Sequence, residues 1–81
     1  MDILDCAILN YLFNVGKATS KVKAKTRRDI VSKVKLKDNT LYKRLVKLKG
    51  KEYVEKGFME SRRHTYYITE GGINALKEAM Q

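Results

Sequence analysis

Two residue types that often carry enzyme or metal chemistry occur once each in the chain, as Cys6 and His64. They lie 58 positions apart, whereas a zinc site needs three or four such ligands. No phosphate-cradling or dinucleotide-binding glycine motif follows a predicted strand, and His64 has no carboxylate partner in a recognisable motif. We therefore expect no catalytic residues, no metal ion and no cofactor. A single cysteine also favours a reducing, intracellular environment.

The residues with the clearest pattern are the basic ones. The chain of 81 residues has a net charge of +9, with 18 lysines and arginines against nine acidic residues. Fourteen of these bases and only two of the acids fall within residues 16–51. A basic surface that merely keeps a protein in solution would be charged more evenly. The block therefore favours a polyanionic partner, nucleic acid first and an anionic membrane surface second.

A first helix is predicted over residues 3–15, with Asp2 as its N-cap and Gly16 after its last turn. One face has the helical spacing of buried residues: Ile3, Leu4, Ala7, Ile8, Tyr11 and Val15. The opposite side of the helix carries a second apolar stripe, formed by Cys6, Leu9 and Phe13. A helix that is apolar on two sides is either covered by its own domain or shared with a partner.

Two further helices are predicted inside the basic block, after an aperiodic segment, 17–25, that we interpret as a loop. Thr26, with Asp29 three residues later, is a predicted N-cap for the second helix. That helix is expected to bury Ile30, Val31 and Val34. Asp38 is predicted to cap the third helix and Gly50 to end it. Its buried face is expected to consist of Leu41, Leu45 and Leu48.

From Tyr53 the pattern changes from helical to extended. Residues 53–56 and 65–69 are predicted strands joined by a polar, basic tip at residues 60–64. A last helix from about Glu70 is expected to bury Ile73, Leu76 and Met80. Three helices, a β-hairpin and a helix predict one winged helix-turn-helix domain over residues 1–81, of the α+β class and mainly α.

Two short helices joined by a tight turn, the second with an exposed basic face, are typical of a helix-turn-helix. The major groove of DNA admits one α-helix, so a reading helix over 39–50 needs polar groups outside and apolar groups behind. Basic pairs at the start of the second helix and in the hairpin, 58–64, can contact backbone phosphates. The predicted DNA-binding residues are Arg27, Arg28, Asn39, Thr40, Tyr42, Lys43, Lys47, Arg62 and Arg63.

The second stripe on helix 1 predicts a homodimer whose interface contains Cys6, Leu9 and Phe13. Leaving Leu9 and Phe13 in water would forfeit roughly 1.5–3 kcal/mol each relative to full burial. A two-fold dimer would bury the stripe and place two reading helices about one DNA turn apart. The alternative is that segment 17–25 or the C-terminal helix covers the stripe within one chain.

Two motifs resemble the PadR family of winged-helix regulators. Residues 39–45, Asn-Thr-Leu-Tyr-Lys-Arg-Leu, followed by Leu48, are similar to that family's recognition helix. Residues 62–76 are similar to the end of its wing, with a basic pair, a tyrosine-rich strand and Thr-Glu-Gly opening a helix; the wider MarR superfamily shares this second pattern. The family usually has glycine where this chain has Glu52, and we expect this chain to lack the family's long C-terminal dimerisation helices. The resemblance implies DNA binding by this domain.

We therefore expect a protein that binds double-stranded DNA sequence-specifically. It is expected to be a transcriptional regulator, located in the cytoplasm at the nucleoid. The apolar runs are too short for a transmembrane helix, no signal peptide is apparent, and no membrane partner is expected. Three alternatives stay open: a plasmid- or virus-type partition or architectural protein that coats DNA, an RNA-binding winged helix, and a domain used only for protein contacts. Nothing in the sequence indicates a small-molecule effector.

Overall fold

Four α-helices and a three-stranded antiparallel sheet make up the chain in this computed structural model, which describes all of residues 1–81. The elements are α1 (Ile3–Asn10) continued by a π-helical turn (Tyr11–Val15), β1 (Lys25–Thr26), α2 (Arg27–Val34), α3 (Asp38–Gly50), β2 (Val54–Lys56), β3 (Thr65–Ile68) and α4 (Glu70–Ala79). This order confirms the predicted winged helix-turn-helix of the mainly α, α+β class. No helix is both long and apolar enough to cross a bilayer.

The sheet contains one strand that the sequence did not indicate. β3 lies in the middle and pairs with β2 on one side and β1 on the other. Lys25 pairs with Tyr66 and Thr26 with Thr65, so the end of the segment predicted as a loop, 17–25, joins the sheet. The rest of that segment is also attached, since the Ile68 N–H donates to the carbonyl of the fully buried Ala18 at 2.8 Å.

The first helix is buried along a different line from the predicted one. Ile3 and Val15, both expected in the core, are 83% and 60% exposed, while Leu9 and Leu12 are fully buried. The π-helical turn, in which the N–H of residue i+5 donates to the carbonyl of residue i, rotates the end of the helix away from the 3.6-residue rhythm, so that Leu12 is buried and Val15 is not. The Gly16 N–H accordingly donates to the Tyr11 carbonyl at 2.7 Å.

The three residues predicted for a dimer interface differ in burial: Leu9 is in the core, whereas Cys6 and Phe13 are only half-buried. Leu9 has no exposed surface in the single chain and belongs to its core, so its assignment to an interface is wrong. α4 packs against α1, as in the alternative that covers the stripe within one chain. Cys6 and Phe13 are half-buried, and their place in an interface stays a prediction.

The predicted helix boundaries hold at α2 and shift at α3. Thr26 and Asp29 form a reciprocal capping box, as predicted. Lys37, without a side-chain hydrogen bond, is the N-cap of α3, so Asp38 is its first residue rather than its cap. There its carboxylate still favours the positive end of the helix dipole.

α3 ends at Gly50, as predicted, but Gly50 is not in the left-handed conformation that closes the helix. The left-handed residue is Glu52, with φ of 64°. Its N–H donates to the Lys49 carbonyl at 2.9 Å, and the Tyr53 N–H donates to the Leu48 carbonyl at 3.0 Å. These two bonds form a Schellman motif, which usually has glycine at the left-handed position.

The wing and α4 are joined to the end of α3 through Thr69. This residue caps α4, since its hydroxyl accepts from the Gly72 N–H at 3.1 Å and donates to the Glu52 carbonyl at 2.6 Å. Leu76 is buried as predicted, whereas Ile73 is only half-buried and Met80, which follows the end of α4, is 66% exposed. The capped junction fixes the hairpin relative to the reading helix.

Candidate nucleic-acid interface

The core of the site is α3, which is divided into a buried and an exposed face. Leu41, Leu45 and Leu48 are at most 1% exposed, as the heptad-like spacing predicts. The other side presents side chains to solvent: Asn39, Tyr42, Lys43, Val46 and Lys47, with Thr40 half-buried beside them. This face combines hydrogen-bond donors and acceptors with apolar groups. That mixture is what base edges and thymine methyl groups in a major groove can contact.

Lys47 lies on the exposed face, as the helical spacing predicts, but it also forms an ion pair with α1. Its Nζ lies 3.2 Å from Oδ2 of Asp5, a carboxylate with no exposed surface. Arg44 Nη1 lies 3.3 Å from Oδ1 of the same Asp5 and also donates to Asp2. The hydrogen bond from Arg44 is the main cause that lowers the pKa of Asp2 to about 2, followed by the bond from the Asp5 N–H. The start of α1 thus holds two cations of α3 by ion pairs.

Arg44 and Asp5 are functional neighbours that sequence reasoning missed. Neither Asp5 nor Arg44 is among the DNA-binding, capping or interface residues predicted from the sequence. The contacts join residues 39 to 42 positions apart along the chain, so no local spacing announces them. The only available signal was an excess of cations on α3 beside a helix that carries acids alone.

Arg27 and Tyr42 connect α2 to α3. The Arg27 guanidinium carbon lies 4.9 Å from the centre of the Tyr42 ring, a cation–π arrangement. Arg27 Nε is also 3.5 Å from Oδ1 of Asp38. Tyr42 remains 47% exposed, so the contact orients the phenol on the reading face without covering it.

The wing tip is a two-residue turn. The Glu60 and Arg63 backbones exchange two N–H to carbonyl bonds of 2.9 Å, and Ser61 and Arg62 between them have φ of 48° and 65°. This is the form of a type I′ turn, whose central positions usually hold Asn and Gly. Arg62 and Arg63 are both exposed there.

The structure brings the predicted basic pairs of α2 and the wing to one cleft. The cleft has a volume of about 630 Å³ and is lined by Arg27, Arg28, Arg62, Arg63 and His64 among others. Thr40, Lys43 and Lys47 lie apart from it, at a shallower cavity that also contains Asp2 and Arg44. The predicted residues therefore form two groups, one along α3 and one between α2 and the wing. No group of three or more His, Cys, Asp or Glu side chains could hold a metal ion.

Solved structures resemble this chain over its whole length, although no protein-family model and no curated protein sequence matches it. TubR from Bacillus megaterium pBM400 is 26% identical, with a TM-score of 0.86 over 100% of this chain and 88% of TubR. A DNA-binding TubR fragment from Clostridium botulinum is also 26% identical, with a TM-score of 0.77 over 99% of this chain and 98% of the fragment.

A more distant match is the Staphylococcus aureus MepR–DNA complex, which is 18% identical with a TM-score of 0.80 over 99% of this chain. The chain spans 51% to 62% of the length of the MepR and ZitR chains that it matches. The matches confirm the winged-helix fold of this chain, which TubR, MepR and ZitR share. They do not indicate the PadR family in particular.

Proposed function

We propose that this chain binds double-stranded DNA, with α3 in the major groove and the α2–wing cleft on the backbone beside it. One observation carries the proposal: α3 is packed on the core by three buried leucines and exposes amide, ammonium, phenol and valine side chains on its other face. The neighbours support it, since one TubR fragment is described as DNA-binding and one MepR structure contains DNA. The role is non-catalytic and belongs where duplex DNA is, in the cytoplasm at the nucleoid.

The first role we infer is sequence-specific regulation of transcription. Selecting bound duplexes from a random pool and footprinting the preferred duplex tests it, and a single discrete footprint is expected. Competition with an RNA duplex and a single-stranded RNA separates DNA from RNA as the partner; equal competition would contradict the proposal. The narrower assignment to a PadR-like regulator rests on the motifs in 39–48 and 62–76 alone.

A second candidate is a partition or architectural protein that coats DNA, and an apolar patch favours it. Val22, Phe58 and Met59 are 81%, 61% and 58% exposed. The two segments that carry them adjoin, because the Phe58 N–H donates to the Lys21 carbonyl at 3.3 Å. Exposed apolar patches on small proteins mark contact sites, here between copies side by side on DNA. A footprint that spreads with protein concentration, and that Phe58→Glu with Met59→Glu restricts, would favour this role.

Assembly as a homodimer through α1 is also a proposal. Cys6 and Phe13 support it as half-buried apolar residues, and Ile3 adds an 83% exposed side chain on the same helix. Light scattering with and without DNA measures the mass. Phe13→Glu is expected to give a folded monomer with weaker DNA binding, whereas Leu9→Glu is expected to unfold the domain. A wild-type protein that stays monomeric at high micromolar concentration on and off DNA would end the dimer proposal.

A further inference from the structure

We infer that the α2–wing cleft holds one phosphate group of the DNA backbone between Arg28 and Arg63, so that both arginines neutralise the same phosphate. The inference rests on the proposed DNA binding and specifies how it works at this place. It goes beyond the expectation drawn from the sequence, which was only that the basic pair of α2 and the basic pair of the wing contact DNA.

The first support is the position of the two arginines. Arg28 of α2 and Arg63 of the wing both line the cleft of about 630 Å³, and both also line an adjoining cavity of about 320 Å³. The two side chains therefore stand on either side of one gap, although they are 35 positions apart in the chain. Both are exposed and can reach a ligand that enters from solvent.

The charged residues around the cleft and around the adjoining cavity determine which of the two attracts an anion. The cleft has four guanidinium groups and one carboxylate, that of Asp38, which is paired with Arg27. Arg28, Arg62 and Arg63 have no carboxylate within 4.0 Å. In the adjoining cavity two acids, Asp29 and Glu60, offset the two shared arginines. A phosphate is therefore drawn to the cleft and not to the adjoining cavity.

The wall that carries Arg63 is held in place before any ligand arrives. The paired backbone bonds between residues 60 and 63 close the tip, with Ser61 and Arg62 in left-handed conformations between them. At the wing base, a Cβ on Gly57 would lie 2.4 Å from the Ala24 Cβ, so the hairpin packs directly on segment 17–24. Because the wing is ordered before a ligand arrives, less conformational entropy is lost on binding.

The volume of the α2–wing cleft fits a piece of DNA backbone better than a single phosphate ion. Pockets for drug-sized ligands and cofactors span roughly 300–1,000 Å³, and this cleft falls within that range, so it is larger than one phosphate ion requires. The aromatic ring of Tyr66 and the side chain of Val31 line it together with the arginines. They supply apolar surface for the sugars on either side of the phosphate.

The test is the salt dependence of duplex binding, measured by fluorescence anisotropy in phosphate-free chloride buffers. The variants are Arg28→Ala, Arg63→Ala and the double variant. Each neutralised phosphate contributes about −0.9 to the slope of log K against log[salt]. If one phosphate is shared, either arginine alone still neutralises it and each single variant keeps nearly the wild-type slope. The double variant should lose about 0.9.

Lys33→Ala, alone and combined with Arg63→Ala, is the matched control. Lys33 is an exposed cation of the same helix that does not line the cleft, so its effect should simply add to that of Arg63. Far-UV circular dichroism checks that each variant is folded, which is expected because both arginines are exposed.

The possible outcomes are distinct. Slope losses of about 0.9 in each single variant and about 1.8 in the double variant mean two separate phosphates and overturn the inference. An unchanged slope in the double variant, with a steep wild-type slope, overturns the inference and leaves DNA binding intact. A flat wild-type response contradicts the proposed function itself, and the inference with it.

Discussion

Asp5→Asn should destabilise the domain strongly, because Asp5 is a buried carboxylate that holds two cations of α3. Its side chain is fully buried, with Lys47 Nζ at 3.2 Å and Arg44 Nη1 at 3.3 Å. A hydrogen bond to a charged group contributes about 1.5–3 kcal/mol, so two such bonds set an upper range near 3–6 kcal/mol. Asparagine keeps the shape and one neutral acceptor, and both cations can turn partly to water, since their side chains are 25% and 49% exposed.

We therefore expect the free energy of unfolding to fall by about 1.5–3 kcal/mol, half of that upper range. In a domain of this size 1 kcal/mol corresponds to about 4–8 °C, so the melting temperature should fall by about 6–24 °C. Thermal and urea unfolding followed by far-UV circular dichroism measure both quantities. The matched control is Asp38→Asn, whose ion pair with Arg27 is 55% exposed on the acid's side and should matter by less than about 1 kcal/mol. Equal, small changes in both variants would refute this account of the α1–α3 junction.

Four shorter predictions concern the same molecule. Glu52→Gly should raise the free energy of unfolding by about 1 kcal/mol in urea unfolding, because glycine adopts the left-handed conformation without the Cβ penalty; destabilisation would contradict the Schellman motif. Because the folded-state pKa of Asp2 is lowered to about 2, its contribution to stability is present above pH 3.8 and is lost as the pH falls towards 2. Asp2→Asn should remove that part of the pH dependence of melting, and an unaltered profile would contradict the Arg44 bond. Wild-type binding to duplex DNA should show a salt slope of about −4 to −5 per protomer, from four to six phosphates. Lys43→Ala should weaken DNA binding at unchanged stability, whereas Lys47→Ala should lower both, and equal melting temperatures for these two variants would contradict the pairing of Lys47 with Asp5.

The features that were predictable from the sequence are those fixed by neighbours in the chain. The capping box of Thr26 and Asp29 spans three residues, and the leucines of α3 repeat at one helical spacing, so both could be located without a structure. The basic pairs at the start of α2 and at the wing tip were found in the same way. That they face one cleft depends on how the hairpin folds over α2, which no local pattern encodes.

The features that were missed depend on long-range contacts or on unusual backbone. The pairing of Lys25 with Tyr66 turned a predicted loop into a strand, and the π-helical turn replaced Val15 by Leu12 in the core. Glu52 occupies a left-handed position where composition favours Gly50 as the end of the helix. The strand pairing is a long-range contact, whereas the π-helical turn and the left-handed Glu52 are backbone conformations that the spacing of apolar residues does not indicate.

Ion pairs attach the reading helix α3 to α1 on one side and to α2 on the other. Its basic residues therefore have two roles: some position the helix, and one is left to contact DNA. At the α1 side, Asp5 and Asp2 bind Arg44 and Lys47, so these cations contribute to the position of the helix as well as to its charge. At the α2 side, Arg27 pairs with the first residue of α3 and lies over Tyr42. Lys43 has no carboxylate partner within 4.0 Å and remains exposed between these anchors. Base reading should accordingly depend most on Lys43 and on its apolar neighbour Val46, while the paired cations keep that face aimed at the groove.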